Sequence, residues 1–135
     1  MMPYEALGWT LLNTSAVTAL TSLRVYHGLR PQSDNPLPSI NYYELGRASG
    51  RGGYESQPYS ISCRAETAGA ARDLARVVIT ALTGTSQTGL YGTGNSFDIV
   101  RMSLVADQGL IPEPDGDAFN APVDVLLVYM IDTVS

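Results

Sequence analysis

One cysteine, Cys63, and one histidine, His27, stand in a chain of 135 residues. A lone cysteine excludes an intrachain disulfide framework, and its place in an alternating run points to a buried structural thiol. A lone histidine with no second histidine or cysteine at ligand spacing gives no metal signature, and no Ser/His/Asp grouping can be inferred from it. His27 reads more simply as a surface or edge-strand residue. Cations are scarce as well: eight Lys and Arg face thirteen Asp and Glu, for a formal net charge of −5. A protein that grips DNA over its whole surface needs a basic excess to release counterions, so that class is excluded, though a local basic patch is not. No stretch approaches the roughly 20 apolar residues of a membrane-spanning helix. Glu5 and Gly8 interrupt the only N-terminal run that could serve as a signal peptide. The expectation is a soluble product made in a cytoplasm, with no membrane partner.

Catalytic signatures are missing too. Gly46, Gly50, Gly52 and Gly53 resemble a phosphate cradle in composition, but no Gly-Lys-Ser/Thr follows and the glycines precede a strand rather than a helix. There is no Gly-x-Ser-x-Gly elbow. The acids of "PEPDGD", Pro112 to Asp117, lack the twelve-residue calcium-loop pattern and read as a solvated turn. The residues therefore point to a protein that is not an enzyme and carries no cofactor and no metal.

What is present is a globular composition, 44% hydrophobic and 16% charged, on a length that fits one domain spanning residues 1–135. Pro3 to Leu23 reads as helical in two pieces, the first with Tyr4, Leu7, Leu11 and Leu12 at helical spacing. The second has Asn13, Thr14 or Ser15 as its cap and Val17, Leu20 and Leu23 on its apolar side. "RVYHGL" is a short strand, and the proline-rich Arg30–Pro38 is a loop. "SINYYEL" and "PYSISCRAE" are strands joined by "GRASGRGGYESQ" in a hairpin with an overlong connection. In the second strand Tyr59, Ile61, Cys63 and Ala65 alternate with Ser60, Ser62, Arg64 and Glu66, so one face should meet a core and the other water or a partner. Thr67 caps the clearest helix, with Leu74, Val77, Val78, Ala81 and Leu82 as its stripe, Arg72, Asp73 and Arg76 off it, and Gly84 at its end. Thr85–Ser96 is a loop, "FDIVRMSLVAD" is a strand, and "VDVLLVYMI" is a strand apolar on both faces apart from Asp124, hence central. The class is α+β: an antiparallel or mixed sheet of about four to five strands with helices packed on one face and a long β-hairpin loop.

Within this frame the hairpin loop is the feature most open to function. Too long and too glycine-rich for a turn alone, it reads either as a solvated loop or as one that orders on contact with another subunit. Arg47, Arg51 and Tyr54 are its candidate contact residues for a neighbouring subunit.

The order of segments also resembles a family. A helix running through "AVTALTSLRVYHGLRP" into a short strand, the proline-led strand "NPLPSINYYELG", the strand-to-helix run "YSISCRAETAGAARDLARVVITAL" and the terminal strand "VDVLLVYMI" are similar to the phage tail-completion or tail-terminator proteins of long-tailed phages. The likeness spans nearly the whole chain. The long loops Arg30–Pro38 and Thr85–Ser96 and the glycine-rich hairpin tip depart from it. The resemblance implies a structural virion protein of the tail or neck that assembles in the host cytoplasm. It implies a homo-oligomeric ring, most simply a hexamer, which ends tail-tube polymerisation and joins tail to head. Its partners would be further copies of itself, the tail tube protein and a head connector or completion protein, with genomic DNA passing through the lumen without specific binding. The alternative is a small α+β ligand- or peptide-binding module using the Tyr42–Tyr59 region, and a third reading pairs His27 with an acid in a small enzyme.

Overall fold

The computed structural model describes residues 3–28, 37–47, 49–51, 54–82, 99–107, 109–112 and 118–130. Two short helices open the chain, α1 (Pro3–Leu12) and α2 (Ser15–Thr21), followed by strand β1 (Val25–His27). The hairpin follows as β2 (Ser39–Glu44), β3 (Ser49–Arg51) and β4 (Tyr54–Ala65). Helix α3 (Ala68–Leu82) and strands β5 (Ile99–Asp107), β6 (Ile111–Pro112) and β7 (Phe119–Met130) complete the order.

The strands form one mixed sheet in the order β1-β2-β4-β7-β5, with β3 also paired to β4 and β6 to β7. Only the β1–β2 pair is parallel; the rest are antiparallel. Strand β4 pairs with β7 from Tyr54↔Met130 to Ala65↔Phe119, so β7 is central, as its two-sided apolar sequence requires. The core-facing set of β4 is as expected, with Tyr59, Ile61, Cys63 and Ala65 all buried; on the opposite face Ser62 and Arg64 are half-buried and Glu66 exposed, but Ser60 is buried as well. Opposite them on the same face lie Val125, Val123 and Ala121, and across β2 lie Ile40 and Tyr42. The helices supply the other half of this core through Leu7, Leu11, Val17, Ala71, Leu74, Val78 and Leu82. Cys63 is a buried thiol in that core, outside any disulfide.

Helix α3 begins where the side chain of Thr67 accepts a hydrogen bond from the amide of Ala70 (3.1 Å), satisfying one of the donors a helix start leaves open. Its inner surface includes Ala71 and Ala75 as well as Leu74, Val78 and Leu82, while Val77 and Ala81 are only half-buried. Relative to the expected stripe, the inner face is thus turned toward Ala71 and Ala75 and away from Val77 and Ala81. The expected stop at Gly84 lies outside the described residues, as do the acids of the 113–117 link.

The first two helices bury less than their apolar spacing implies. Leu12, Leu20 and Leu23 are exposed, Leu23 by 72%. Helix α2 has seven residues and meets the core through Val17 and Thr21, one turn apart. Thr21 can be buried because its hydroxyl donates to the carbonyl of Val17 (3.1 Å). Thr14 occupies the cap position without a side-chain cap bond; its hydroxyl turns back to the carbonyl of Thr10 (2.7 Å) and ties α2 to the end of α1.

Candidate assembly surface

The hairpin is more ordered than the composition of its connection implies. Strand β2 pairs with β4 as far as Glu44↔Tyr59, and β3 resumes pairing at Ser49↔Ser56. Leu45, Gly46 and Arg47 therefore fall in the interval opposite Gln57 and Pro58, an irregular bulge that bends the strand. The amide of Leu45 donates to the carbonyl of Pro58 (2.9 Å). The buried side chain of Gln57 donates to the carbonyls of Gly46 and Pro58 (3.1 Å each). Gly46 sits at φ +74°, where an L side chain is strained, so its glycine serves the bend. The stretch expected to be one long connection thus contains β3 and the first four residues of β4.

Of the three contact residues proposed from the sequence, Arg47 is exposed within the bulge. Arg51 and Tyr54 are directly opposed at the end of the β3–β4 ladder. Tyr54 is also opposite Met130 on β7, so the tip extends the central pair of strands rather than swinging free of it.

At the same end of β2, next to the bulge, an aromatic cluster joins helix to sheet. His27 stacks on Tyr4 with ring centroids 4.2 Å apart, and Tyr42 and Tyr59 continue the cluster inward. The imidazole Nε2 of His27 lies 2.5 Å from Oε1 of Glu44, two residues along β2 from its register partner Tyr42. Both side chains are partly exposed and the pair clamps the edge strand β1 to β2. No group of three or more His, Cys, Asp or Glu side chains converges among the described residues. Of the tyrosines in the Tyr42–Tyr59 region that the ligand-binding alternative uses, Tyr42 and Tyr59 are 5% and 1% exposed and belong to the core, while Tyr43 is 43% exposed.

Burial pushes the Tyr42 phenol up to about 12, with Glu44 adding to the effect. Burial also raises Tyr59, and burial followed by the hydrogen bond to the Glu55 carboxylate raises Tyr129. All three are neutral acids whose folded form holds its proton above the ordinary phenol range near 10. Their contribution to stability is complete below about pH 10 and is lost as the pH rises toward and through about 12 for Tyr42. In an alkaline titration, part of the tyrosinate absorbance is expected to appear only with the unfolding transition seen by circular dichroism. Full ionisation of all eight tyrosines with the fold intact would contradict this.

The two sheet edges differ. β1 is short and parallel, held against β2 and bordered by α1. β5 is the far edge, and its ladder to β7 is irregular between Leu104 and Ala106. Leu104, Val105 and the nearby Ile111 of β6 are large apolar side chains left exposed there. An edge strand with apolar exposure is a template for pairing with another chain. The sheet face away from the helices carries Ser39, Asn41, Ser60, Ser62, Arg64, Asn120 and Asp124 in register. That face is polar at this end and gives way to Pro58, Leu126 and Val128 toward the hairpin tip.

The fold has a counterpart in a virion. A chain from the virion of a native gene transfer agent particle superposes with a TM-score of 0.65 over 93% of this chain and 92% of that one, at 16% sequence identity. At that identity the likeness is one of fold. The sequence matches no protein-family model. It also matches no curated protein. No helix among the described residues is long and apolar enough to cross a membrane.

Proposed function

We propose that this chain is a structural virion protein that forms a ring at the head-proximal end of a phage tail tube. There it ends tube polymerisation and presents the surface that joins tail to head. The observation that carries the reading is the end-to-end likeness of fold to a virion chain, which agrees with the resemblance of segment order to the tail-terminator proteins. The surfaces fit the role. A ring is built from heterologous contacts that close, and the β5 edge with Leu104 and Val105 offers one side of such a contact. The hairpin tip, with Arg47, Arg51 and Tyr54, offers a projection toward an adjacent copy or the tube. A net charge of −5 suits a lumen through which DNA passes without being held. The role is non-enzymatic.

Native mass measurement of the purified protein, alone and with tail tube protein, tests the reading. A closed ring that caps tubes is expected, and a strict monomer that never binds them would sink it. The contact residues are tested by Arg47→Ala/Arg51→Ala/Tyr54→Ala. Truncating side chains is the cleaner test, because deleting residues 46–57 would remove β3 and part of the β4–β7 ladder. The triple variant is expected to keep its circular dichroism and lose ring formation or tube binding. Unchanged assembly would make the tip a bystander.

A further inference from the structure

Helix α3 carries a second surface at right angles to its core face. Arg72, Ala75, Arg76 and Ile79 follow the i, i+3, i+4, i+7 spacing of one helical side. Together with Gly109 and Leu110 from the β5–β6 link and Ala121 of β7 they line a groove of about 210 Å³. Its floor is apolar: Ala75 and Ala121 are buried, Ile79 and Leu110 half-buried. Its rim holds two exposed guanidinium groups one helical turn apart. Like charges at that spacing repel, and among the described residues no carboxylate pairs with either of them. In a chain with eight cationic residues against thirteen acids, two arginines are concentrated on one groove.

We propose that this groove binds the acidic β6–β7 link of a second copy of the chain. That link reads Glu113-Pro114-Asp115-Gly116-Asp117, three carboxylates about a proline. Planar guanidinium forks match carboxylates, and an apolar floor between them matches the proline ring. Copies that each carry a net charge of −5 repel at long range, so their contact needs local complementarity of this kind. A groove on one copy and a link on the next make a heterologous contact, which is the kind that propagates around a ring. The inference rests on the self-assembling reading above and names one of its interfaces.

The test uses two charge reversals of the full chain. Arg72→Glu/Arg76→Glu spoils the groove, and Glu113→Lys/Asp115→Lys/Asp117→Lys spoils the link. Each variant alone is expected to stay folded by circular dichroism and to self-associate at least tenfold more weakly by sedimentation. Mixed at equal concentration, they are expected to recover assembly as mixed oligomers, since the reversed groove now faces a reversed link. Arg72→Gln/Arg76→Gln, which removes charge without adding any at two exposed sites, should weaken association less and guards against a folding defect. Assembly of the reversed variants equal to that of the unmodified chain overturns the inference while leaving the ring reading intact, and so does a mixture that stays dissociated. An unmodified chain that is monomeric at every concentration overturns both.

Discussion

Leu127→Ala is expected to destabilise the fold by about 2–5 kcal/mol, while Leu126→Ala, one residue away on the same strand, is expected to cost roughly 1 kcal/mol. The two residues share type, strand and neighbours in sequence. They differ in the face they occupy. Leu127 is fully buried opposite Gln57 and points into the core beneath the helices. Leu126 pairs with Pro58 on the opposite face and is half-buried. Truncating Leu127 removes its burial and leaves a cavity among side chains already packed on every side, whereas truncating Leu126 opens toward solvent and leaves no closed void. Urea unfolding with an unchanged slope would read the difference directly as a shift in midpoint. Equal costs would mean that the face of β7 away from the helices is packed as tightly as the core.

That pair also marks the boundary of what the sequence could show. The run "VDVLLVYMI" is apolar at nearly every position, so it announces a central strand but not which residues face the helices. The answer comes from the register with β4, and register is a property of two strands. Where a pattern is local it was readable. The alternation from Tyr59 to Ala65 and the capping threonine before α3 both act within a few residues, and both appear as expected. The strands β3 and β6 were not readable. Ser-Gly-Arg has little strand propensity and Ile-Pro is two residues long and ends in proline, and they are extended because β4 and β7 provide a ladder for them. Leu12, Leu20 and Leu23 misled for the opposite reason. They keep the helical spacing, but Leu12 lies on the outer side at the end of α1, Leu20 on the outer side of the seven-residue α2, and Leu23 past the end of α2.

The candidate surfaces divide in the same way. Arg47, Arg51 and Tyr54 were singled out by their place near a hairpin tip, and the structure sets Arg51 opposite Tyr54. The His27–Glu44 pair spans 17 residues through a parallel pairing that no local pattern encodes. The α3 groove was half legible. Arg72 and Arg76 fall off the apolar stripe by simple helical periodicity, but the opposite wall, Gly109 and Leu110, is brought there by the return of the chain along β7.

Gly8→Ala is expected to destabilise the protein by about 1–3 kcal/mol, although the same change in an exposed helix interior would stabilise by about 1 kcal/mol. Gly8 is buried in the middle of α1, where glycine carries an entropic cost that alanine avoids. The reason for glycine lies in the sheet below. The Tyr42 ring rises from β2 beneath the helix, and its hydroxyl donates to the carbonyl of Tyr4 (2.9 Å). A Cβ on Gly8 would overlap that hydroxyl and press on the ring carbon that bears it, 3.3 Å away. The ring cannot simply turn aside, because it is buried, hydrogen-bonded and packed between His27 and Tyr59. Either the hydrogen bond breaks or α1 lifts from the sheet, and both lose more than the helix gains. Tyr42→Phe removes the colliding atom, so Gly8→Ala introduced on that background should cost less than it does alone, giving a favourable coupling in a double-mutant cycle. Additive costs in the cycle would show that Gly8 is required for some reason other than the close passage of Tyr42.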